Sequence, residues 1–521
     1  IMSAAAVAPS RPYVPSHLDQ RGARLVPRWL FPVSLALLLP LIGFVASWPM
    51  QEGWLGPAMA DRWTRALLAT ADVGAFRDLT GTAYPVLPLG FDMAMALIPG
   101  LGRVPAPLLV NVLMLAIAAS LWVRMLVAGG HRFVPALVTA GLLACAPSLS
   151  LMVAAGGAAP LGVLAFTIAV SSSLWLVRRG EVNAMIALGV SLAFLALADA
   201  AGAYLVLASV PFIALMLPAR MVATSASGSL LVVMFPLIFA AIALFYVNWV
   251  FGGSPLAFAA GVDAAIHGSA AHISDSSWLL GPGGGIGTAL LAGALLILAN
   301  APLLPVGLRF GDRGARRVLL LLTGLVLTAL ILTSATWFLG DPGRLLAYLS
   351  PLSVLAAAVT GRNRLRGGLL PLLALLGLAA GWWAQGQVGD ADTRAWRHAM
   401  AGTGQVDGVT QAELALGGFL RDLDDVAIDG LTAGAVLPGR GRAGGLILPS
   451  NDRLKADLIV RQLRATYVAL RDPVSAAGTR DRIAQAMPDL WQDAGTGAVL
   501  IYDRGDWRVW RLPADGRNGG E

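Results

Sequence analysis

Long apolar runs separated by short polar turns occupy the first three quarters of the chain. A helix needs about 20 apolar residues to cross a bilayer, and runs near this length recur often enough to predict about eleven spans. The predicted spans lie near 29–48, 106–127, 134–152, 157–177, 184–198, 201–217, 228–250, 284–307, 317–339, 344–360 and 367–385. The two shortest, within 184–217, could form a broken hairpin. The pattern therefore predicts an α-helical polytopic membrane protein.

Arginine positions give this protein a predicted orientation. With the N-terminus inside, alternate turns carry arginine clusters, whereas the loop 251–283 holds no lysine or arginine. Positive residues concentrate on the cytoplasmic side of membrane proteins. We therefore predict a bacterial inner (plasma) membrane protein with three parts. They are a cytoplasmic tail (1–28), a transmembrane domain (29–387) and an extracytoplasmic soluble domain (388–521).

Composition agrees with this picture. Hydrophobic residues make up 57% of the chain and charged residues 13%, compared with about 25% charged residues in soluble domains. The net charge of +7 comes from arginines at helix ends, where membrane topology places them, so nucleic acid is not an expected partner. Cys145 is the only cysteine, which excludes an intrachain disulfide.

Polar residues return after Gln385. Short β-like runs at 445–449, 466–470, 497–502 and 507–511 alternate with helical patterns at 411–424 and 453–464. About 130 residues are enough for one hydrophobic core. The sequence thus predicts a C-terminal α/β domain.

Two long outer loops hold most of the candidate site residues. The loop 49–105 contains an apolar segment, 84–101, whose prolines favour an interfacial helix over a span. Its possible substrate-site residues are Glu52, Tyr84, Asp92 and Arg103. The loop 251–283 adds His267 and His272, but a Gly/Ser-rich loop without supporting ligands does not predict a metal site. No metal ligands are assigned, and a need for a divalent metal stays open.

Two charged residues suggest chemistry at the outer face. Asp61 follows the first span, and Arg344 stands where an outer loop meets the span 344–360. An arginine at this depth can hold a phosphate through two parallel hydrogen bonds, and a carboxylate facing it can act as a general base. The alternatives are a snorkelling arginine or a partner for Asp341, and an ordinary solvated side chain for Asp61. Asp199, between two short apolar runs, is a weaker candidate.

These segments together resemble the GT-C superfamily of integral-membrane glycosyltransferases, and most of all the dolichyl-phosphate-mannose mannosyltransferase type. The matching segments are 61–68 (DRWTRALL), 84–89 (YPVLPL), 107–124, and the loosely spaced Arg344, Tyr348 and Pro351. The resemblance implies a polyprenyl-phosphate-linked sugar as donor and an envelope glycan or protein as acceptor. It also implies Asp61 as the catalytic base, and Arg344 with Tyr348 as the binding site for the donor phosphate.

This chain departs from the family pattern at three places. Arg62 stands where a second acid is usual, Val86 and Leu87 split the proline pair, and Asp199 replaces a basic residue. Two other functions therefore stay open. One is a non-catalytic scaffold or accessory subunit with a GT-C-like fold. The other is a lipid-linked sugar flippase or transporter, which ranks last because no internal repeat is visible and the charges lie at one face.

Overall fold

The computed structural model shows a mostly helical protein with several apolar helices and a small C-terminal sheet. It describes residues 27–71, 84–98, 104–258, 285–336, 343–361, 365, 368–388, 391–403, 408–429, 434–449, 451–475, 478–494 and 497–513. The predicted site residues Arg103, His267 and His272 lie outside these ranges, as does Asp341.

Sixteen described helices precede the C-terminal part of the chain. They are α1 (Leu30–Gln51), α2 (Pro57–Ala71), α3 (Val86–Ala96), α4 (Ala106–Ala128), α5 (Phe133–Ala144), α6 (Pro147–Ala155), α7 (Ala159–Arg179), α8 (Val182–Ala198), α9 (Ala200–Met216), α10 (Ala219–Gly252), α11 (Ile286–Asn300), α12 (Leu304–Phe310), α13 (Arg313–Thr336), α14 (Gly343–Leu346), α15 (Leu349–Thr360) and α16 (Leu369–Gln385).

Each predicted span overlaps one or two of these helices. Within the described residues, six helices are long and apolar enough to cross a membrane, or up to eight if the bent pairs α5–α6 and α11–α12 each make one span. The helices α8, α9 and α16 are apolar but reach only 17 residues each. The multi-pass character is thus confirmed, whereas the number eleven stays a prediction. Helix α3 has 11 residues and is too short to cross a bilayer.

One end of the helical bundle, here called the arginine end, gathers several of the turns that the sequence placed on one side. Arg178 at the end of α7 forms an ion pair with Asp312 before α13. Arg317 donates to the carbonyl of Leu215 at the end of α9. These contacts bring turns far apart in sequence to one end of the bundle.

The opposite end, here called the domain end, carries the C-terminal domain, and helix α2 joins the two. Trp63, Leu67 and Leu68 are buried within the core of that domain. The Thr64 hydroxyl donates to the carbonyl of Gly434 at 2.7 Å. The long loop 49–105 and the C-terminal domain therefore meet at the same end of the bundle.

A glycine allows α2 to approach the bundle closely. Gly156 ends α6 with a left-handed backbone (φ 81°), which is accessible to glycine at little cost. A Cβ atom on Gly156 would lie 2.3 Å from the Cα of Met59 in α2. A larger residue at position 156 would thus push α2 away from the bundle.

The C-terminal domain contains a five-stranded sheet in the order β2-β1-β3-β5-β4. Its strands are β1 (Val426–Ala427), β2 (Leu446–Ile447), β3 (Tyr467–Arg471), β4 (Val499–Arg504) and β5 (Trp507–Arg511). Its helices are α18 (Gly408–Phe419), α19 (Val436–Arg440), α20 (Asp452–Val460) and α21 (Arg482–Ala486), whereas α17 (Ala391–Met400) packs against the helical bundle through Trp396 and Ala399. Strands β2, β1 and β3 are parallel, whereas β5 is antiparallel to β3 and β4. The four predicted strands are confirmed as β2 to β5, and β1 was missed.

Replacing Trp63 with alanine should weaken the attachment of the C-terminal domain. Removing a buried tryptophan typically costs about 3–5 kcal/mol, and Trp63 is only 6% exposed. We expect a lower denaturation midpoint for the purified full-length protein and faster proteolysis of the C-terminal domain. The matched control is Trp383→Ala, since Trp383 lies on α16 and is 47% exposed. Equal destabilisation by both substitutions would contradict this role of α2.

Candidate functional site

Arg62 uses its whole guanidinium group to join four helices at the domain end. Its Nε and Nη2 atoms donate to the two carboxylate oxygens of Asp92, at 2.9 and 2.8 Å. Its Nη1 atom donates to the carbonyls of Gly156 (2.7 Å) and Gly157 (3.1 Å) and to the side-chain oxygen of Asn111 (3.3 Å). The residue therefore links α2 with α3, α4 and the end of α6.

The ion pair with Arg62 offsets the energetic cost of burying the Asp92 carboxylate. The Asp92 side chain is fully buried, and an unpaired buried carboxylate strongly destabilises a fold. Burial raises the pKa of Asp92 to about 6, although the charge and the hydrogen bond of Arg62 oppose this rise. Both carboxylate oxygens of Asp92 are bound by Arg62, so this side chain holds α3 against α2.

Asp61 occupies a different environment on the same helix. Its carboxylate accepts a hydrogen bond from Arg65 Nε at 3.0 Å, and its side chain is 56% exposed. Exposed ion pairs of this spacing contribute little to stability. The Asp61 carboxylate is therefore accessible at the domain end. Glu52, which caps the end of α1, is partly buried at the same end.

A second polar group, here called the Asp199 cluster, consists of Asp199, Tyr348, Arg344 and Tyr84. Asp199 interrupts the apolar helices α8 and α9 with an extended backbone, and it is 1% exposed. The Tyr348 hydroxyl donates to Asp199 Oδ2 at 2.5 Å, and Tyr348 is fully buried. Two residues 149 positions apart in the sequence thus meet inside the bundle.

Gly162 on α7 makes room for this hydrogen bond. A Cβ atom at this position would lie 2.1 Å from the Tyr348 hydroxyl oxygen and 3.2 Å from the Asp199 Cβ atom. Any side chain there would displace the hydroxyl group, because side-chain atoms cannot approach so closely.

Arg344 contributes a guanidinium that forms no ion pair within the described residues. It lies on α14, four positions before Tyr348, and is partly buried. Within the described ranges, no hydrogen bond or ion pair joins its guanidinium to another residue. Its charge acts on the Tyr348 phenol, so it belongs to the same cluster. A partly buried guanidinium in this state is available to an anion from outside the chain.

Tyr84 ties the start of α3 to the same region. Its hydroxyl donates to the carbonyl of Ala196 in α8 at 2.8 Å. Its ring centroid lies 5.7 Å from that of Phe258, which in turn stacks on Phe245 of α10. Burial raises the pKa of the Tyr84 phenol above its usual value, and the charge of Asp199 raises it further. Tyr84 therefore connects the ends of α8 and α10.

A wholly apolar groove of about 740 Å³ lies between these two helices. Its lining residues are Leu87, Ile186, Val190, Ala193, Phe194, Leu197, Leu231, Val232, Phe235, Pro236 and Phe239. Several of them are largely exposed, including Leu231 (58%), Phe235 (62%) and Phe239 (64%). Leu87 comes three residues after Tyr84, and Leu197 comes two before Asp199. The groove is therefore open at the outer surface of the bundle, and two of its lining residues stand close in sequence to members of the Asp199 cluster.

The structure brings together only some of the predicted site residues. Arg344, Tyr348 and Tyr84 share one cluster, whereas no described contact joins Asp61 to it. The sequence analysis ranked Asp199 as a weaker candidate, and it did not identify the contacts of Arg62 or the space provided by Gly162. The sequence feature that could have identified Asp199 as a site residue is its position as a single aspartate between two apolar helices. Within the described residues, no group of three or more metal-ligating side chains is present.

Comparison with known proteins gives structural likeness but no match by sequence. No protein-family model matches the chain, and no curated protein matches it. Among solved structures, the chain is similar to the archaeal oligosaccharyltransferase AglB from Archaeoglobus fulgidus, in complex with an inhibitory peptide and a dolichol-phosphate. The identity is 14%, the TM-score is 0.39, and the match covers 85% of this chain and 70% of that one.

Proposed function

We propose that this protein is a GT-C-type membrane glycosyltransferase that transfers a sugar from a polyprenyl-phosphate donor to an envelope acceptor. One observation carries the proposal. Arg344, which forms no ion pair within the described residues, belongs to the Asp199 cluster, and the apolar groove is lined by Leu87 and Leu197, which stand two or three positions from Tyr84 and Asp199. A ligand that suits both parts is an anionic amphiphile with a long apolar chain. Polyprenyl phosphates are molecules of this kind.

The groove would bind the apolar chain of such a donor, and the Asp199 cluster would bind its phosphate. The apolar walls of α8 and α10 would accept the polyprenyl chain, since burying apolar surface needs no specific polar partner. The guanidinium of Arg344 would bind the phosphate through charge-assisted hydrogen bonds. The volume of the groove lies within the usual range of about 300–1,000 Å³ for ligand sites.

The proposed reaction is an inverting displacement at the anomeric carbon of the sugar. Asp61 accepts the proton of an acceptor hydroxyl group while that oxygen forms a bond to the anomeric carbon. The bond from that carbon to the phosphate oxygen breaks, and its electron pair leaves with the polyprenyl phosphate. The phosphate gains negative charge as it departs, so Arg344 stabilises the transition state more than the bound donor. We place this reaction at the outer leaflet of a bacterial inner membrane.

A second candidate function is a non-catalytic accessory subunit. It is favoured by Arg62, which takes the position of a second acid and holds Asp92 in a bidentate ion pair. It is also favoured by α2, whose apolar face serves as a docking surface for the C-terminal domain. This alternative predicts a protein that tolerates the loss of Asp61.

The first prediction concerns the phosphate contact. Arg344→Ala should weaken binding of polyprenyl phosphate by roughly ten- to hundredfold, since a hydrogen bond to a charged group contributes ~1.5–3 kcal/mol. Arg344→Lys should restore part of this loss, because lysine keeps the charge without the planar fork. Binding is measured with a fluorescent polyprenyl phosphate and the full-length protein in lipid nanodiscs. The control is Arg394→Ala, an exposed arginine on α17; an equal effect in the control would contradict the assignment.

The second prediction concerns the apolar groove. Ala193 lines the groove and is 8% exposed, so Ala193→Trp should fill part of it. We expect affinity for polyprenyl phosphate to fall at least about tenfold, because the chain loses the apolar surface that it would bury. Ile238→Trp is the matched control, since Ile238 on α10 is 45% exposed and does not line the groove. Unchanged affinity in a folded Ala193→Trp variant would exclude the groove as the site of the chain.

The third prediction separates the transferase from the accessory subunit. Asp61→Asn should reduce sugar transfer about 10²–10⁴-fold, the usual contribution of a general base, and leave polyprenyl phosphate binding unchanged. Envelope glycans from cells that carry the variant report transfer, and the binding assay above reports the donor site. Asp452→Asn is the control, since its side chain is 99% exposed on the C-terminal domain. Normal glycans from a well-expressed Asp61→Asn variant would favour the accessory subunit.

A further inference from the structure

The position of Tyr348 does not suit direct contact with a ligand. Its side chain is fully buried, and its hydroxyl group is committed to Asp199. We propose that Tyr348 and Asp199 form a positioning pair that holds Arg344 in place for the donor phosphate, and that Tyr348 does not itself bind that phosphate. This inference rests on the proposed function, and it assigns Tyr348 a role different from the one implied by its sequence pattern.

The helix that carries Arg344 needs an anchor. Helix α14 has four residues and continues through Ala347 and Tyr348 into α15, so its direction depends on how Tyr348 is held. The backbone N–H of Tyr348 donates to the carbonyl of Leu345 at 3.2 Å, so Tyr348 closes the turn that begins after Arg344. Its ring packs edge-on against Phe166 of α7, with centroids 5.6 Å apart. Fixing Tyr348 therefore fixes the backbone that presents the guanidinium.

Asp199 is well placed to provide that anchor. It precedes α9 at the position where an aspartate commonly caps a helix, yet its side chain makes no such cap. The carboxylate instead accepts the Tyr348 hydroxyl, and both groups are buried. A buried carboxylate without a partner would be costly, so each group stabilises the other in this arrangement.

Gly162 sets the position of the hydroxyl group from the opposite side. Because a Cβ atom there would lie 2.1 Å from the Tyr348 hydroxyl oxygen, Gly162→Ala should move Tyr348 without altering any polar group. This substitution provides a second, independent way to disturb the pair.

A double-mutant cycle tests the inference. The affinity of full-length protein in nanodiscs for fluorescent polyprenyl phosphate is measured for Tyr348→Phe, Arg344→Ala and the double variant. If Tyr348 acts only through Arg344, Tyr348→Phe should cost about tenfold alone and less than about twofold in the Arg344→Ala background, since effects that share one contact are not additive. Gly162→Ala should behave in the same way. Tyr204→Phe, a buried tyrosine on α9, is the control and should change affinity less than twofold.

A conservative substitution distinguishes loss of the Tyr348–Asp199 hydrogen bond from a general loss of packing. Asp199→Asn keeps an oxygen that accepts the Tyr348 hydroxyl, so it should stay within about threefold of the unmodified protein, whereas Asp199→Ala should lose about tenfold. If Asp199→Asn and Asp199→Ala lose affinity equally, the hydrogen bond is not the cause and the inference is overturned.

The remaining outcomes are also decisive. If Tyr348→Phe loses the same factor with and without Arg344, Tyr348 contacts the phosphate directly and the inference fails, while the proposed donor site stands. If Tyr348→Phe and Gly162→Ala both bind as tightly as the unmodified protein, the pair does not position Arg344 for binding, and the inference is overturned. If the unmodified protein does not bind polyprenyl phosphate at all, the proposed function itself fails.

Discussion

The architecture of the domain end depends on satisfying one partly buried guanidinium. Arg62 makes five hydrogen bonds to a carboxylate, an amide oxygen and two backbone carbonyls. A charge in this position is tolerated only when nearly all of its hydrogen bonds are made. The requirement fixes α2 against the end of α6 and draws α3 toward α2 through Asp92. Because α2 also enters the core of the C-terminal domain, the same interaction fixes that domain relative to the bundle.

Helix α3 contributes to the wall of the groove through Leu87. Tyr84, just before α3, donates to the carbonyl of Ala196 near the end of α8, and its ring contacts Phe258 after α10. The position of α3 is therefore coupled to the ends of the two helices that line the groove. Asp199 ends α8 with an extended backbone and accepts the Tyr348 hydroxyl, for which Gly162 leaves space.

Hydropathy predicted the helical bundle well because each membrane helix must be apolar along its length. Features that leave no hydropathy pattern were missed. Strand β1 has two residues, and no periodicity is detectable over so short a segment. The ion pair of Arg62 with Asp92 spans 30 positions, and the bond from Tyr348 to Asp199 spans 149. Neither pairing leaves a local pattern, so a sequence can nominate such residues singly but cannot show that they meet.

The contacts of the charged residues bear differently on donor binding and on catalysis in the proposed function. Asp92 is held by Arg62, Asp199 accepts from Tyr348, and Asp61 pairs with Arg65. Arg344 has no such partner among the described residues. Under the proposed function, Arg344 would bind the anionic group of the donor and the apolar groove would accept its chain. Catalysis would then depend on whether the exposed carboxylate of Asp61 reaches an acceptor bound beside that lipid.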